Sequence, residues 1–216
     1  MAQETSKRWT ELLPAWIQVV ALIVTGVFAL VEYHSHKEEI KIQRALEFVS
    51  QLNAGEVLNA HTALTLQEQQ KNSRFQEILS GNKTSQDKIN AAYYRFVVCD
   101  LLMHGGDHSL EPSFFITNGL LENAASCVNH GLCDEQTIRD HIGHFGKNFV
   151  RTYYPYFCFL RAAWKDASIG RDVVSFFSPS AKDACGNFEE ALKNNHMSFS
   201  SCASGSIVNP AAVVKP

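Results

Sequence analysis

Residues 12–31 of the chain read LLPAWIQVVALIVTGVFALV, twenty residues without a charged side chain. At a rise of about 1.5 Å per residue, a helix of this length covers the hydrocarbon core of a bilayer, which is about 30 Å thick. A secretory signal peptide fits less well, because its apolar centre is normally about 7 to 15 residues long and a small-residue cleavage site follows it. A core helix that is apolar on every side would be unusual in a soluble domain of this size. We therefore predict a transmembrane helix over residues 12–31, preceded by a short flank over residues 1–11.

Helical periodicity continues beyond the span. Residues 32–51 contain neither Gly nor Pro, and their apolar residues recur at spacings of three and four, which predicts a stalk helix over residues 32–55 that stops at Gly55. Residues 56–195 contain helical patterns and no convincing β-hairpin or βαβ pattern. The predicted fold class is all-α: an N-terminal transmembrane helix that continues into a stalk helix, then a compact helical domain. Residues 196–216 are predicted to form a disordered tail.

The strongest periodicity in the chain begins at Asp134. Apolar residues then step by three or four through Ile138, Ile142, Phe145, Phe149, Tyr153, Tyr156, Leu160 and Trp164. This pattern predicts the longest helix of the domain, with a kink at Pro155. We expect Phe145, Phe149 and Tyr153 to be buried against a helix over residues 85–104.

The six cysteines are compatible with a disulfide set or with reduced thiols; they are Cys99, Cys127, Cys133, Cys158, Cys185 and Cys202. Cys99 and Cys158 lie inside apolar helical patterns, where a free cysteine behaves as a small hydrophobic residue. That placement favours reduced thiols, which are typical of cytosolic domains.

Charged residues near the span give a weaker indication of orientation. Lys7 and Arg8 precede it, whereas Lys37, Lys41 and Arg44 follow it. Because cationic residues are enriched on the cytoplasmic side, this difference also predicts a cytoplasmic C-terminal domain.

The overall charge argues against nucleic-acid binding by electrostatics alone. The chain has 19 Lys and Arg against 22 Asp and Glu, and no basic stripe, so no DNA partner is expected. Sequence motifs for phosphate loops, dinucleotides, nucleophile elbows and zinc proteases are also absent. We predict no cofactor.

One short motif suggests catalysis. Arg139 and His144 form an R-x4-H string, which is similar to the spacing in HEPN-type ribonucleases. That similarity implies a metal-independent reaction on RNA, in which His144 handles the 2′-hydroxyl proton and Arg139 stabilises the phosphate charge. The alternative is a solvated helix face with an Asp140–His144 pair.

A second cluster has the composition of a metal site. Cys127, His130 and Cys133 are spaced three residues apart, and zinc accepts such ligands. Gly131 between them favours an ordinary helix end instead, so no metal is predicted.

Two resemblances follow from larger patterns. The first pattern consists of the N-terminal span together with Phe114-Phe115, Leu120-Leu121-Glu122, Val128, Gly131-Leu132-Cys133-Asp134-Glu135 and Phe145. With these residues the chain resembles bacterial membrane-anchored helical domains of unknown function. The combination of one span with an R-x4-H string is similar to membrane accessory proteins of RNA-targeting CRISPR systems. This second resemblance implies self-assembly in the bacterial inner membrane and loss of membrane integrity during antiviral defence.

The span itself contains a candidate contact for self-association. Gln18 and Thr25 are seven residues apart and thus near one helical face, with Gly26 beside them. Small and polar residues on one face are typical of helix–helix contacts in lipid. The expected function is a membrane-anchored, self-associating helical module, plausible as a phage-defence or stress effector that perturbs the inner membrane. The alternatives are a membrane-tethered HEPN-like ribonuclease and a passive membrane-localising adaptor. The expected partners are the lipid bilayer and further copies of the chain, with RNA as the partner of the ribonuclease alternative.

Overall fold

The fold is known from a computed structural model that describes residues 2–80, 85–102, 110–181 and 185–195; the backbone alone is described at residues 2–15, 18, 71–80 and 100. These ranges are almost entirely helical and contain no β-strand, which confirms the all-α class. The helices are α1 (Ala2–Leu52), α2 (Gly55–Ser80), α3 (Gln86–Tyr94), a π-helix (Arg95–Leu102), α4 (Glu111–Asn129), α5 (Glu135–His141), α6 (Gly143–Trp164), α7 (Arg171–Phe177), a 3-10 turn (Pro179–Ala181) and α8 (Cys185–Asn194).

The first half of α1 has the properties of a membrane-crossing helix. From Val19 onwards α1 is long and apolar enough to cross a bilayer, and its most apolar stretch has a mean hydropathy of 1.5 and is 0% buried. Leu22, Phe28 and Leu30 are each at least 70% exposed. The predicted apolar N-terminal helix is therefore present, with its side chains free to meet lipid.

The second half of α1 packs into the helical domain. Ala45 is fully buried and Leu52 is 8% exposed, and this part of α1 packs against α2, α4 and α5. Residues predicted to form a separate stalk thus contribute to the core. The predicted stop is correct: α1 ends at Leu52, and Gly55 has a left-handed backbone with a φ of 58°.

Phe114 of α4 occupies the centre of the core. It is 0% exposed, and its ring centroid lies 4.8 Å from that of Tyr156, 5.3 Å from Phe157, 5.4 Å from Phe149 and 5.7 Å from Tyr153. Phe149 is buried, as predicted. Its ring contacts come from α4 and from α6 itself. The helix α6 also packs against α3 and the π-helix, which lie within the helix predicted over residues 85–104.

The helix predicted to run from Asp134 to Trp164 is two helices. The Asp134 side chain accepts a hydrogen bond of 2.7 Å from the Thr137 N–H and caps α5, as its position predicts. The chain then breaks at Ile142, and α6 begins at Gly143. The apolar periodicity continues across this break because α5 and α6 both turn an apolar face to the core.

The helix α7 was not predicted from the sequence. Its Phe177 ring lies so close to Gly146 of α6 that a Cβ at Gly146 would overlap it. Glycine at this position therefore permits close contact between α6 and α7.

Pro155 affects the hydrogen bonding of α6. It has no N–H, so the Arg151 carbonyl four residues earlier lacks its usual helical donor. The Tyr93 hydroxyl lies 3.2 Å from the Arg151 carbonyl oxygen and 2.8 Å from that of Thr152. A side chain of α3 thus supplies a donor to the one carbonyl that the proline leaves free.

The cysteines correct one sequence expectation. Cys127 is bonded to Cys133 and Cys158 to Cys185, with Cα–Cα distances of 5.3 and 5.4 Å, and Cys99 is disulfide-bonded as well. No free cysteine occurs in the part of the chain that the structure describes, so the expectation of reduced thiols is wrong. Burial in an apolar pattern, such as that of Cys158, suits a disulfide as well as a thiol. The disulfide also occupies both sulfur atoms of the alternative metal cluster.

Candidate functional site

A cleft of about 460 Å³ lies between α2 and α6. Its volume is in the range that small-molecule sites usually have. On α2, positions three and four apart share one face of the helix. The cleft is lined by His61, Leu64, Thr65 and Glu68 from α2, and by Phe145, Asn148, Phe149, Arg151, Thr152 and Tyr153 from α6.

Two buried polar atoms of the lining have no partner. The Tyr153 hydroxyl and His61 Nδ1 are enclosed, and neither has a hydrogen-bond partner within the described ranges. Tyr153 is only 3% exposed. A buried polar group left in this state costs about 1 to 3 kcal/mol, so such groups call for an explanation in a folded protein. Both side chains line the same cleft, which makes it the leading candidate for a binding site.

Glu68 adds to the cleft a carboxyl group whose pKa is shifted. Burial raises its pKa above the ordinary range. Burial also raises the pKa of the Tyr153 phenol, and the charges of Glu68 and Tyr93 add to that effect. The pKa of Tyr93 is raised by burial and by Glu68, and is lowered in part by the Arg151 guanidinium. Burial therefore disfavours the charged forms of Glu68, Tyr93 and Tyr153.

The buried carboxyl group predicts a pH-dependent effect on stability. Because the folded pKa of Glu68 is raised, folding disfavours its ionised form. Below about pH 4.5 Glu68 is protonated in both the folded and the unfolded chain, so the cost of burying its ionised form is absent. This cost grows as the pH rises and is fully present above the folded pKa of Glu68. Glu68→Gln should therefore raise the unfolding temperature at pH 8 and leave it unchanged at pH 4.

Thermal unfolding at both pH values measures this effect, with the exposed Glu189→Gln as the matched control. An equal shift at pH 4 and pH 8 would show that ionisation of Glu68 is not its cause.

Arg139, predicted as a catalytic residue, is held by contacts within the fold. Its Nε donates to Glu135 at 2.7 Å, its Nη1 donates to the Phe176 carbonyl at 3.4 Å, and its guanidinium carbon lies 4.4 Å from the Phe176 ring centroid. These contacts tie α5 to α7.

His144, the second predicted catalytic residue, lies in the first turn of α6 and is exposed. Its Nε2 is 3.0 Å from the side-chain amide of Asn148, which lines the cleft. No hydrogen bond joins Arg139 to His144 among the described residues. Asp140, the other residue of the alternative pair with His144, accepts a hydrogen bond of 2.8 Å from Gln136. The ribonuclease hypothesis thus stays a prediction without geometric support.

The predicted oligomer contact lies on the exposed half of α1. The Gln18 side chain lies outside the described residues. Thr25 donates a 2.8 Å hydrogen bond to the Ala21 carbonyl of its own helix, and a Cβ at Gly26 would meet no atom within 4 Å. This face of α1 is therefore open and flat.

The cleft residues were not identified from the sequence. The available signal was the placement of His61, Thr65 and Glu68 on one face of a glutamine-rich helix. Their significance depends on Tyr153, which is 85 residues beyond Glu68 and reads in the sequence as one more core aromatic residue.

Comparison of the chain with protein-family models, with curated proteins and with solved structures found no match in any of the three.

Proposed function

We propose that the chain is a single-pass membrane-anchored binding module whose α2–α6 cleft takes an uncharged polar ligand of sugar or nucleoside size. The observation that carries this proposal is the buried, unpartnered hydroxyl of Tyr153 beside His61 in a cleft of about 460 Å³. A ligand that hydrogen-bonds both groups would remove the cost of leaving them unpaired.

The class of ligand follows from the lining. Asn148, Thr152 and Tyr153 offer donors and acceptors, while Phe145 supplies an apolar wall. Burial raises the pKa of Glu68, and its carboxyl oxygens can accept hydrogen bonds from a ligand. Such a mixture suits a ligand with several hydroxyl or amide groups and no net charge.

The anchor brings the cleft to a bilayer. The exposed apolar side chains of α1 support a membrane position, since an apolar surface of this size is unusual on a soluble monomer. We propose the inner membrane of a bacterium as the membrane concerned, as the resemblance implies.

The disulfides support a revised orientation. Disulfides persist in oxidising compartments and are rare in the cytosol. With every described cysteine bonded, we propose that the helical domain lies on the oxidising side of the membrane, which is the periplasm for a bacterial inner membrane. The difference of one cationic residue across the span, which favoured the cytoplasm, is the weaker argument of the two.

Self-association through the span remains part of the proposal. Gly26 leaves a surface on which a second helix can approach closely. The Thr25 hydroxyl is satisfied within its own helix, so close packing and not this hydroxyl would hold the copies together. Assembly of this kind is what a membrane-perturbing defence effector requires. Cross-linking of single cysteines placed at Val27 and at Val24 detects it, and monomers at both positions would exclude it.

A pair of tyrosine variants tests the cleft. Tyr153→Phe removes a hydroxyl that has no partner, so it should raise the free energy of unfolding by about 1 kcal/mol while abolishing ligand binding. Tyr156→Phe is the matched control: its hydroxyl donates to Glu111 at 2.6 Å, and its loss should lower the free energy of unfolding by about 1.5 to 3 kcal/mol.

Binding is measured as the rise in unfolding temperature of the full chain in detergent micelles with a panel of uncharged sugars and nucleosides. We expect at least one compound to stabilise the wild type and Tyr156→Phe, and not Tyr153→Phe. A Tyr153→Phe variant that is less stable than the wild type, with no compound stabilising either protein, would refute the proposed site.

A further inference from the structure

We infer that the membrane-proximal end of the domain binds the phosphate of an anionic phospholipid headgroup in a pocket between α1 and the loop that joins α4 to α5. The pocket has a volume of about 240 Å³. Its walls include Tyr33, His36, Lys37, Lys41 and Arg44 from α1, and Leu132 from the loop. The inference rests on the membrane anchoring in the proposed function, and it does not involve the α2–α6 cleft.

The position of the pocket suits a lipid headgroup. Beyond the predicted end of the span at Val31, Tyr33 lies about 3 Å and Lys37 about 9 Å further along the helix axis. The headgroup layer extends about 5 to 7 Å beyond the hydrocarbon core on each side. Helical side chains lean toward the helix N-terminus, which is the bilayer side here, so the Lys37 ammonium reaches back to the depth of the phosphates.

The charges on this face are available to an anion. Lys37 and Arg44 are exposed, and neither forms an ion pair within the described part of the chain. Lys41, between them on the same face, is already paired with Glu38 at 2.9 Å. Lys37 is therefore the direct phosphate contact, and Arg44, about 20 Å beyond the span, acts from the far end of the pocket.

The loop completes the pocket with an apolar residue. Leu132 is 51% exposed and lines the same pocket as Lys37. The Cys127–Cys133 disulfide ties this loop to the end of α4, and a 3.2 Å hydrogen bond from the Asp134 N–H to the Lys41 carbonyl holds it against α1. A pocket that contains both the Lys37 cation and the exposed apolar side chain of Leu132 matches the boundary between lipid phosphates and acyl chains.

The test uses the full chain in mixed micelles with equal amounts of phosphatidylglycerol and phosphatidylcholine, and counts retained lipids by native mass spectrometry. The wild type should retain the anionic lipid preferentially. Lys37→Gln should reduce that preference about fivefold, because a cation near an anionic surface contributes a factor of about that size. Arg44→Gln should reduce it less, because the attraction falls off with distance from the surface.

Lys147→Gln, which removes an exposed charge on α6, is the control and should change nothing. Equal retention of both lipids by the wild type, or an equal loss in the control, would overturn the inference. Displacement of the anionic lipid by millimolar inorganic phosphate would assign the pocket to free phosphate and would also overturn it. Neither result would affect the ligand-binding test of the cleft, so the two proposals fail separately.

Discussion

Phe114→Ala is expected to lower the free energy of unfolding by about 3 to 5 kcal/mol. Phe114 is completely buried, and four aromatic rings of α6 surround it. Truncation removes these contacts and leaves a cavity that rings held on one rigid helix cannot close. Since a domain is typically stable by only about 5 to 15 kcal/mol, the loss is a large fraction of the total. Urea denaturation of the full chain in mild detergent measures it.

The neighbouring Phe115 provides the matched control. It is 37% exposed and stacks on Trp164 with a centroid distance of 6.3 Å. Phe115→Ala should therefore cost less than half as much as Phe114→Ala, because less apolar area leaves water when it folds. Equal losses at the two positions would contradict the placement of the core centre at Phe114.

Replacement of both Cys158 and Cys185 with Ala is expected to lower the free energy of unfolding by about 3 to 4 kcal/mol. The disulfide joins α6 to the start of α8 across 27 residues, and the unfolded chain gains the entropy of that loop when the bond is absent. Replacement of Cys127 and Cys133, which are six residues apart, should cost less, about 2 kcal/mol.

Reduction of the wild type should lower the free energy of unfolding by more than the loss measured for the Cys158 and Cys185 variant, because it also opens the Cys127–Cys133 bond. Reduction of the variant should cost only the contribution of the disulfides that it retains. Denaturation with and without a reducing agent makes the comparison. Unchanged stability of the wild type on reduction would show that these cysteines do not cross-link the folded protein, and would remove the support for an oxidising compartment.

The sequence predicted the features that depend on neighbours in the chain. The apolar run of residues 12–31, the helix end at Gly55 and the cap at Asp134 all follow from local patterns, and the structure contains each as a helical element or boundary. The span is supported as a helix of sufficient length and apolarity.

The features that depend on distant parts of the chain could not be predicted in this way. The partner of Cys158 is 27 residues away, and burial alone does not distinguish a bonded cysteine from a free one. The break at Ile142 leaves the apolar periodicity intact, so the pattern continues across two helices. The cleft forms between α2 and α6, which are far apart in sequence. The unpartnered polar atoms of His61 and Tyr153 are brought together only by this packing.

In the proposed membrane-anchored state, the unbroken course of α1 couples the domain to the thickness of the bilayer. From Val31 to Leu52 the helix extends about 31 Å, and its far end is embedded in the core by Ala45 and Leu52. A helix tilted by about 20°, the average for membrane spans, displaces its end sideways by about 11 Å over that length. A thinner membrane increases the tilt, and the domain must follow because no hinge interrupts α1. With the chain anchored as proposed, membrane thickness sets how far the α2–α6 cleft stands from the lipid surface and which way it opens.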